Sequence, residues 1–161
     1  PRNHSPEGDG ASLLVVTSPP MSPPRSQTGA FLVALTPESI EAFMAREINL
    51  PFVPFRVGRE SRHARVTGEG VMSERRRVSP PNNDLYLTET MEPMNVSREH
   101  FVIDRDQAGF FLLDRGSSCG TLVEGEQVGA GRPERAPLHD HDVIIVGTSL
   151  SRFIFKFRLE S

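Results

Sequence analysis

Two neighbouring stretches decide how this chain is read: Asn95-Val96-Ser97-Arg98-Glu99-His100-Phe101-Val102-Ile103, and Asp114-Arg115-Gly116-Ser117-Ser118-Cys119-Gly120-Thr121-Leu122-Val123-Glu124-Gly125. Each sets small hydroxyls and a cation in a turn beside a short apolar run. Hydroxyls, guanidinium groups and free backbone N–H groups gathered in a turn are suited to holding an anion, phosphate above all. A Gly58-Arg59 pair stands upstream, at the end of the strand-like run Phe52-Val53-Pro54-Phe55-Arg56-Val57.

Outward from these motifs the hydrophobic period is two. Phe153, Phe155, Phe157 and Leu159 alternate with Arg152, Ile154, Lys156 and Arg158, which sets an aromatic face against a core. Asp84-Leu85-Tyr86-Leu87, Phe101–Ile103, Phe110–Leu113, Thr121–Val123 and Val143–Val146 supply further short strands. Pro80-Pro81-Asn82-Asn83, Asp106-Gln107-Ala108-Gly109, Glu124-Gly125 and Gly129-Ala130-Gly131 punctuate them as turns. Many short strands with this turn chemistry predict an all-β, antiparallel sandwich.

Taken in order, Gly58-Arg59, Ser97-Arg98-Glu99-His100, Ser118-Cys119-Gly120-Thr121 and Leu138-His139-Asp140-His141-Asp142-Val143-Ile144-Ile145-Val146-Gly147 resemble the forkhead-associated (FHA) domain family. That family reads phosphothreonine peptides, and the resemblance runs from about residue 50 to about residue 160. It implies a sandwich whose loops at one end receive the peptide. Arg59, Ser97 and Ser118 are then the phosphate contacts, Arg98 a further phosphate or peptide contact, and Cys119 the position that meets the peptide backbone. His100 and Thr121 would brace the loops from behind, and Gly58 and Gly120 would be backbone necessities. Three positions depart from the family pattern: Cys119 and Glu124 stand where it has Asn, and His141 where it has Gly.

The remainder of the chain reads as appendage. Residues 1–35 form a Pro/Ser-rich tail or linker whose composition, as in Thr17-Ser18-Pro19-Pro20-Met21-Ser22-Pro23-Pro24, favours disorder. Thr36 suits a helix N-cap and Pro37 the first helical position, while Ile40, Phe43 and Met44 share one face, so a short amphipathic helix is expected within residues 36–49. The FHA-like domain is expected over residues 50–161. Because the chain starts at Pro1 rather than Met, it is read as a piece of a longer protein.

Composition narrows the function classes. A net charge of −3 gives no global field for nucleic acid or a membrane surface. No apolar run approaches the roughly 18 residues of a membrane span. One cysteine forms no intrachain disulfide and fits a reducing, cytoplasmic setting. The reading is therefore a non-enzymatic, phosphothreonine-binding signalling module with no cofactor and no metal. A partner phosphoprotein is expected, with the domain's own tail, phosphorylated at Thr17 or Thr28, as a second ligand.

Other readings stand beside it. An FHA-fold adaptor that binds without phosphate is the alternative. Gly116-Ser117-Ser118-Cys119-Gly120 matches the Gly-x-Ser-x-Gly elbow of hydrolases, but that elbow needs a helix after it, and Thr121-Leu122-Val123 reads as a strand. His139-Asp140-His141-Asp142 has metal-ligand composition yet falls in a turn before a buried strand. Arg75-Arg76-Arg77 reads as a solvated loop, or as a basic arm toward acidic peptide flanks.

Overall fold

A computed structural model describes residues 28–60, 62–67, 70–75, 80–90 and 92–161. Residues 1–27 of the tail expected over 1–35, with Thr17, and most of the Arg75–Arg77 run lie outside these. The elements in chain order are β1 (Ala30–Ala34), α1 (Pro37–Phe43), β2 (Glu47–Asn49), β3 (Phe55–Arg59), β4 (Arg62–Thr67), β5 (Gly70–Arg75), β6 (Leu85–Leu87), β7 (Phe101–Asp106), β8 (Gly109–Asp114), β9 (Thr121–Val123), β10 (Glu126–Val128), β11 (Arg135–Pro137), β12 (Val143–Val146) and β13 (Ile154–Leu159).

Two sheets face each other. One runs β10-β9-β12-β13-β1-β2 and the other β11-β8-β7-β3-β6, with β4-β5 as a separate two-stranded ribbon. The core lies between them: Leu32, Leu50, Leu87, Phe101, Ile103, Leu112, Ile144, Phe155 and Phe157 are fully buried. Burying each such side chain is worth about 1.5–3 kcal/mol, and this is what closes the sandwich. The Phe153–Leu159 alternation behaves as its period demands, with Phe153, Phe155 and Phe157 buried while Ile154, Lys156 and Arg158 are only partly covered.

Four expectations need correction. The sandwich begins at β1 rather than near residue 50, because Ala30, Leu32 and Ala34 point into the core and β1 pairs with both β13 and β2. Its burial alternates just as in the later strands, but Ala30–Ala34 is apolar throughout, so no period of two shows in its residues. Thr28 belongs to this folded unit too: its hydroxyl donates to the Leu50 carbonyl at 2.5 Å and accepts from the Ala30 amide. The second sheet is mixed, since β3 pairs with β6 in parallel. Finally, the helix ends earlier than residue 49, and Met44 is 94% exposed. Met44 sits at φ 54 and stops α1, after which Glu47–Asn49 turn into β2.

The helix start is as its sequence implies. Thr36 is extended at φ −121, its hydroxyl oxygen accepts from the Ser39 amide, and Pro37 occupies the first turn. The same hydroxyl donates to the Arg152 carbonyl, Ser39 Oγ accepts from the Ile154 amide, and Phe43 stacks on Phe155 at 4.9 Å between ring centroids. These contacts fix α1 beside the start of β13.

Strand register decides which loops meet. Val146 pairs with Thr121 and Ala34 with Phe155, so the loops before β9, after β12 and before β13 emerge with α1 at one end of the sandwich. Ala30 pairs with Leu159 at the other end.

Candidate functional site

Gly58-Arg59, at the end of β3, reaches the loop that carries Ser97 before β7. The Arg59 amide donates to the Ser97 carbonyl at 2.8 Å, and its Nε donates to the Val96 carbonyl at 2.9 Å. None of the described residues engages the two terminal guanidinium nitrogens, which leaves four N–H donors to offer. Gly58 is required by space. A Cβ there would lie 2.0 Å from the Arg98 carbonyl oxygen, a contact real side chains do not make.

The two motifs that frame the sequence are joined directly. Ser97 Oγ accepts from the Ser118 amide at 3.0 Å, and Ser97 N donates to His100 Nδ1 at 2.9 Å. His100 is fully buried, and its Nε2 lies 2.8 Å from the Gly120 carbonyl. A donor at Nδ1 and a carbonyl at Nε2 together require the neutral ring with its proton on Nε2. Burial pushes the His100 pKa down, against smaller opposing effects of Gly120, Asp114 and Glu89. The imidazole is thus a neutral strut from one loop to the other.

Asp114 and Ser117 shape the second loop. The Asp114 carboxylate accepts from the amides of Gly116 and Ser117 and from Ser117 Oγ, while Ser117 Oγ accepts from the Gly120 amide. This Asp-x-x-Ser turn leaves Ser118 exposed and Cys119 half-buried, with Cys119 Sγ 3.9 Å from the Met94 carbonyl. Gly129 packs on the same carboxylate, where a Cβ would come within 2.2 Å of Asp114 Cγ. Arg98 is exposed and its guanidinium has no hydrogen bond or ion pair among the described residues.

Arg59, Ser97, Arg98, Ser118 and Cys119 are therefore assembled at one end of the sandwich. Chemically, this is a shallow surface of cationic and hydroxyl donors set on a rigid frame. It suits capture of a tetrahedral anion on a flexible ligand.

Thr121 departs from expectation. It is fully buried, yet its hydroxyl has no hydrogen-bond partner among the described residues, so it takes no part in the bracing network they form. The Ser118 elbow is not formed either, because strand β9 follows the loop and both His100 nitrogens face Ser97 and Gly120. At the His139–Asp142 turn, His141 pairs with Asp140 and His139 with Asp142. No group of His, Cys, Asp and Glu side chains among the described residues converges as a metal site.

Two supporting residues escaped the sequence reading. Glu89 accepts from the amides of Asn95 and Val96, at 2.8 Å each, and clamps the loop just ahead of Ser97. Asn83 is buried and donates from Nδ2 to the Arg98 carbonyl, while Arg115 Nη1 donates to Asn83 Oδ1. Glu89 and Asn83 sit in polar turns with no distinguishing local pattern. The Asp114–Ser117 turn, in contrast, carried a readable signal in its spacing.

The two facing sheets define a β-sandwich whose loops gather at one end. The FHA-domain family model matches residues 55–147, and the chain belongs to that family. The solved structures similar to it include the FHA domain of a Chlamydia trachomatis protein, with 19% identity, coverage of 82% of this chain and 98% of that one, and a TM-score of 0.51. They also include the FHA domain of an Arabidopsis thaliana hypothetical protein (19%, 90% and 96%, TM-score 0.52). A third is a structure described as an analysis of phosphothreonine-dependent FHA domain interactions (19%, 83% and 99%, TM-score 0.51). No curated protein matches the chain.

Proposed function

We propose that this domain binds phosphothreonine-containing segments of a partner protein through the loop end built on Arg59, Ser97 and Ser118. The observation that carries the reading is the Ser118 amide held on Ser97 Oγ, with the uncommitted end of Arg59 alongside. Membership of the FHA family and the phosphothreonine dependence stated for one similar structure support it. In this role Arg59 supplies charge-assisted donors, the two serines supply hydroxyls, and Arg98 swings from the solvent to close over the ligand. Each hydrogen bond to the charged group would contribute about 1.5–3 kcal/mol. The module has no catalytic step. Among the described residues no helix is long and apolar enough to cross a membrane, and a reducing cytoplasmic setting suits the half-buried thiol of Cys119.

The domain's own tail is a second ligand for the same site, but only through Thr17. Thr28 lies at the β1–β13 end remote from Ser97, and its hydroxyl is committed to Leu50. The chain after Thr28 enters β1 at once, so it has no slack. Thr17 precedes Thr28 by a length that, extended, spans about 36 Å, more than the roughly 20 Å of the sheet. A phosphothreonine-oriented peptide library, screened against matched unphosphorylated peptides, tests the reading. Selection of phosphopeptides is expected; equal retention of both sets would favour an adaptor that ignores phosphate.

A further inference from the structure

Beside the Ser97–Ser118 site, across Cys119, lies a groove of about 390 Å³. Its walls include Met94, Leu150 and Cys119 from the loops, and Glu38 and Arg152 from α1 and the start of β13. Glu38, Leu150 and Arg152 lie outside the family match of residues 55–147. The Thr36–Arg152, Ser39–Ile154 and Phe43–Phe155 contacts hold this wall in place.

Two properties of the groove point to one occupant. Its floor and lip are apolar and open, with Leu150 85% exposed and Met94 40% exposed, two of the four large hydrophobic side chains left exposed among the described residues. Its charged groups are three carboxylates, Glu38, Glu89 and Glu92, against the single guanidinium of Arg152. Arg152 is paired with Glu38 at 3.4 Å, and Glu89 accepts from two backbone amides. Glu92 has no hydrogen bond or ion pair among the described residues. An apolar surface under a negative rim fits a long aliphatic stem that ends in a cation, as in arginine or lysine.

Resting on the reading of the loop end as a phosphothreonine site, we infer that the groove selects ligands with an arginine or lysine close in sequence to the phosphothreonine. Such a peptide is dipolar. Its phosphate meets Arg59 and Arg98 on one side of Cys119, and its basic side chain lies along Leu150 and Met94 toward Glu92 on the other. Like charge would exclude an acidic residue from the same position.

The test is fluorescence anisotropy with one phosphothreonine peptide in which each flanking position is replaced in turn by Ala, Arg or Asp. At one or more positions the parent domain should bind the Arg peptide about two- to five-fold more tightly than the Ala peptide, the range of an exposed ion pair, and the Asp peptide more weakly. Glu92→Gln should shrink that preference while leaving the Ala peptide's affinity unchanged, and Leu150→Ser should weaken the Arg peptide. Phosphopeptides bound with no preference at any position, or a preference untouched by both substitutions, would overturn the inference and leave the phosphothreonine reading standing. If none of the phosphopeptides binds, both fail.

Discussion

Ser97 Oγ accepts a hydrogen bond from the Ser118 amide at 3.0 Å, and this contact joins two loops whose residues stand 21 apart in the chain. The Ser97 hydroxyl hydrogen remains to donate to a ligand, and the Ser118 side chain stays in solvent beside it. The loop that carries Ser97 is fixed at both of its peptide groups: Glu89 takes the Val96 amide, Arg59 Nε the Val96 carbonyl, His100 the Ser97 amide and Arg59 N the Ser97 carbonyl. Preorganisation of this kind spares the ordering cost that a mobile loop would meet on binding.

Arg59→Ala should remove phosphopeptide binding while the domain remains folded, because the residue is only half-buried and is not one of the core residues between the sheets. Arg59→Lys keeps a charge but loses the Nε donor to Val96 and the forked geometry, so it should restore binding only in part. Ser97→Ala removes one phosphate donor and the acceptor for Ser118, and should weaken binding less than Arg59→Ala does. Titration calorimetry of the three variants, with circular dichroism as the folding control, checks the ranking. Binding by Arg59→Ala equal to the parent's would put the site elsewhere.

His100 makes the fold sensitive to acid. Its pKa is pushed below the ordinary 6.5 in the folded state, whereas the unfolded chain titrates near the ordinary value. Below about pH 6.5 the unfolded state therefore binds a proton that the folded state refuses, and stability falls as pH drops until the folded value is reached. Above that window the contribution is complete and flat. Urea midpoints at pH 7.5 and 5.5 should fall for the parent by more than for His100→Asn, which lacks the titrating ring. Equal falls would mean that His100 protonates in place.

Thr121→Val should be neutral or stabilising by up to about 1 kcal/mol, because it replaces a buried hydroxyl that has no partner with a methyl group of the same shape. Thermal denaturation of the two forms measures it. A loss of more than about 1 kcal/mol would show that the hydroxyl does bond something, such as an ordered water.

Much of this architecture was legible in the sequence. Period-two patterns marked β3, β6, β7, β8, β9, β12 and β13, and the spacing of the two motifs picked out the loop end that register then assembled. What stayed hidden has physical causes. β10 (Glu126-Gln127-Val128) and β11 (Arg135-Ala136-Pro137) carry too few apolar residues to display an alternation. β1 (Ala30-Phe31-Leu32-Val33-Ala34) is apolar throughout, so its residues show no period of two. The parallel β3–β6 pairing is a tertiary choice that no local pattern encodes. Glu89 and Asn83 act through backbone groups brought near only by the fold, so neither carries a sequence signature.

Cys119→Asn should tighten phosphopeptide binding. The thiol is a weak donor and acceptor, and it sits 3.9 Å from the Met94 carbonyl at the edge of the site. An asparagine there would offer both an N–H and a C=O to the peptide backbone, worth about 0.5–1.5 kcal/mol for one ordinary hydrogen bond. Calorimetry of both forms against one phosphopeptide reads the difference. Unchanged or weaker binding would mean that the peptide runs along another path in this domain.

Phosphothreonine binding at the Arg59–Ser97–Ser118 loop end is read residue by residue in a ¹⁵N NMR titration with one phosphothreonine peptide and its unphosphorylated twin. Saturable shifts are expected at the Ser97, Arg98, Ser118 and Cys119 amides and at Arg59 Nε with the phosphorylated peptide alone. Shifts centred on the Thr28–Leu159 end of the sandwich, or the same shifts with both peptides, would contradict it.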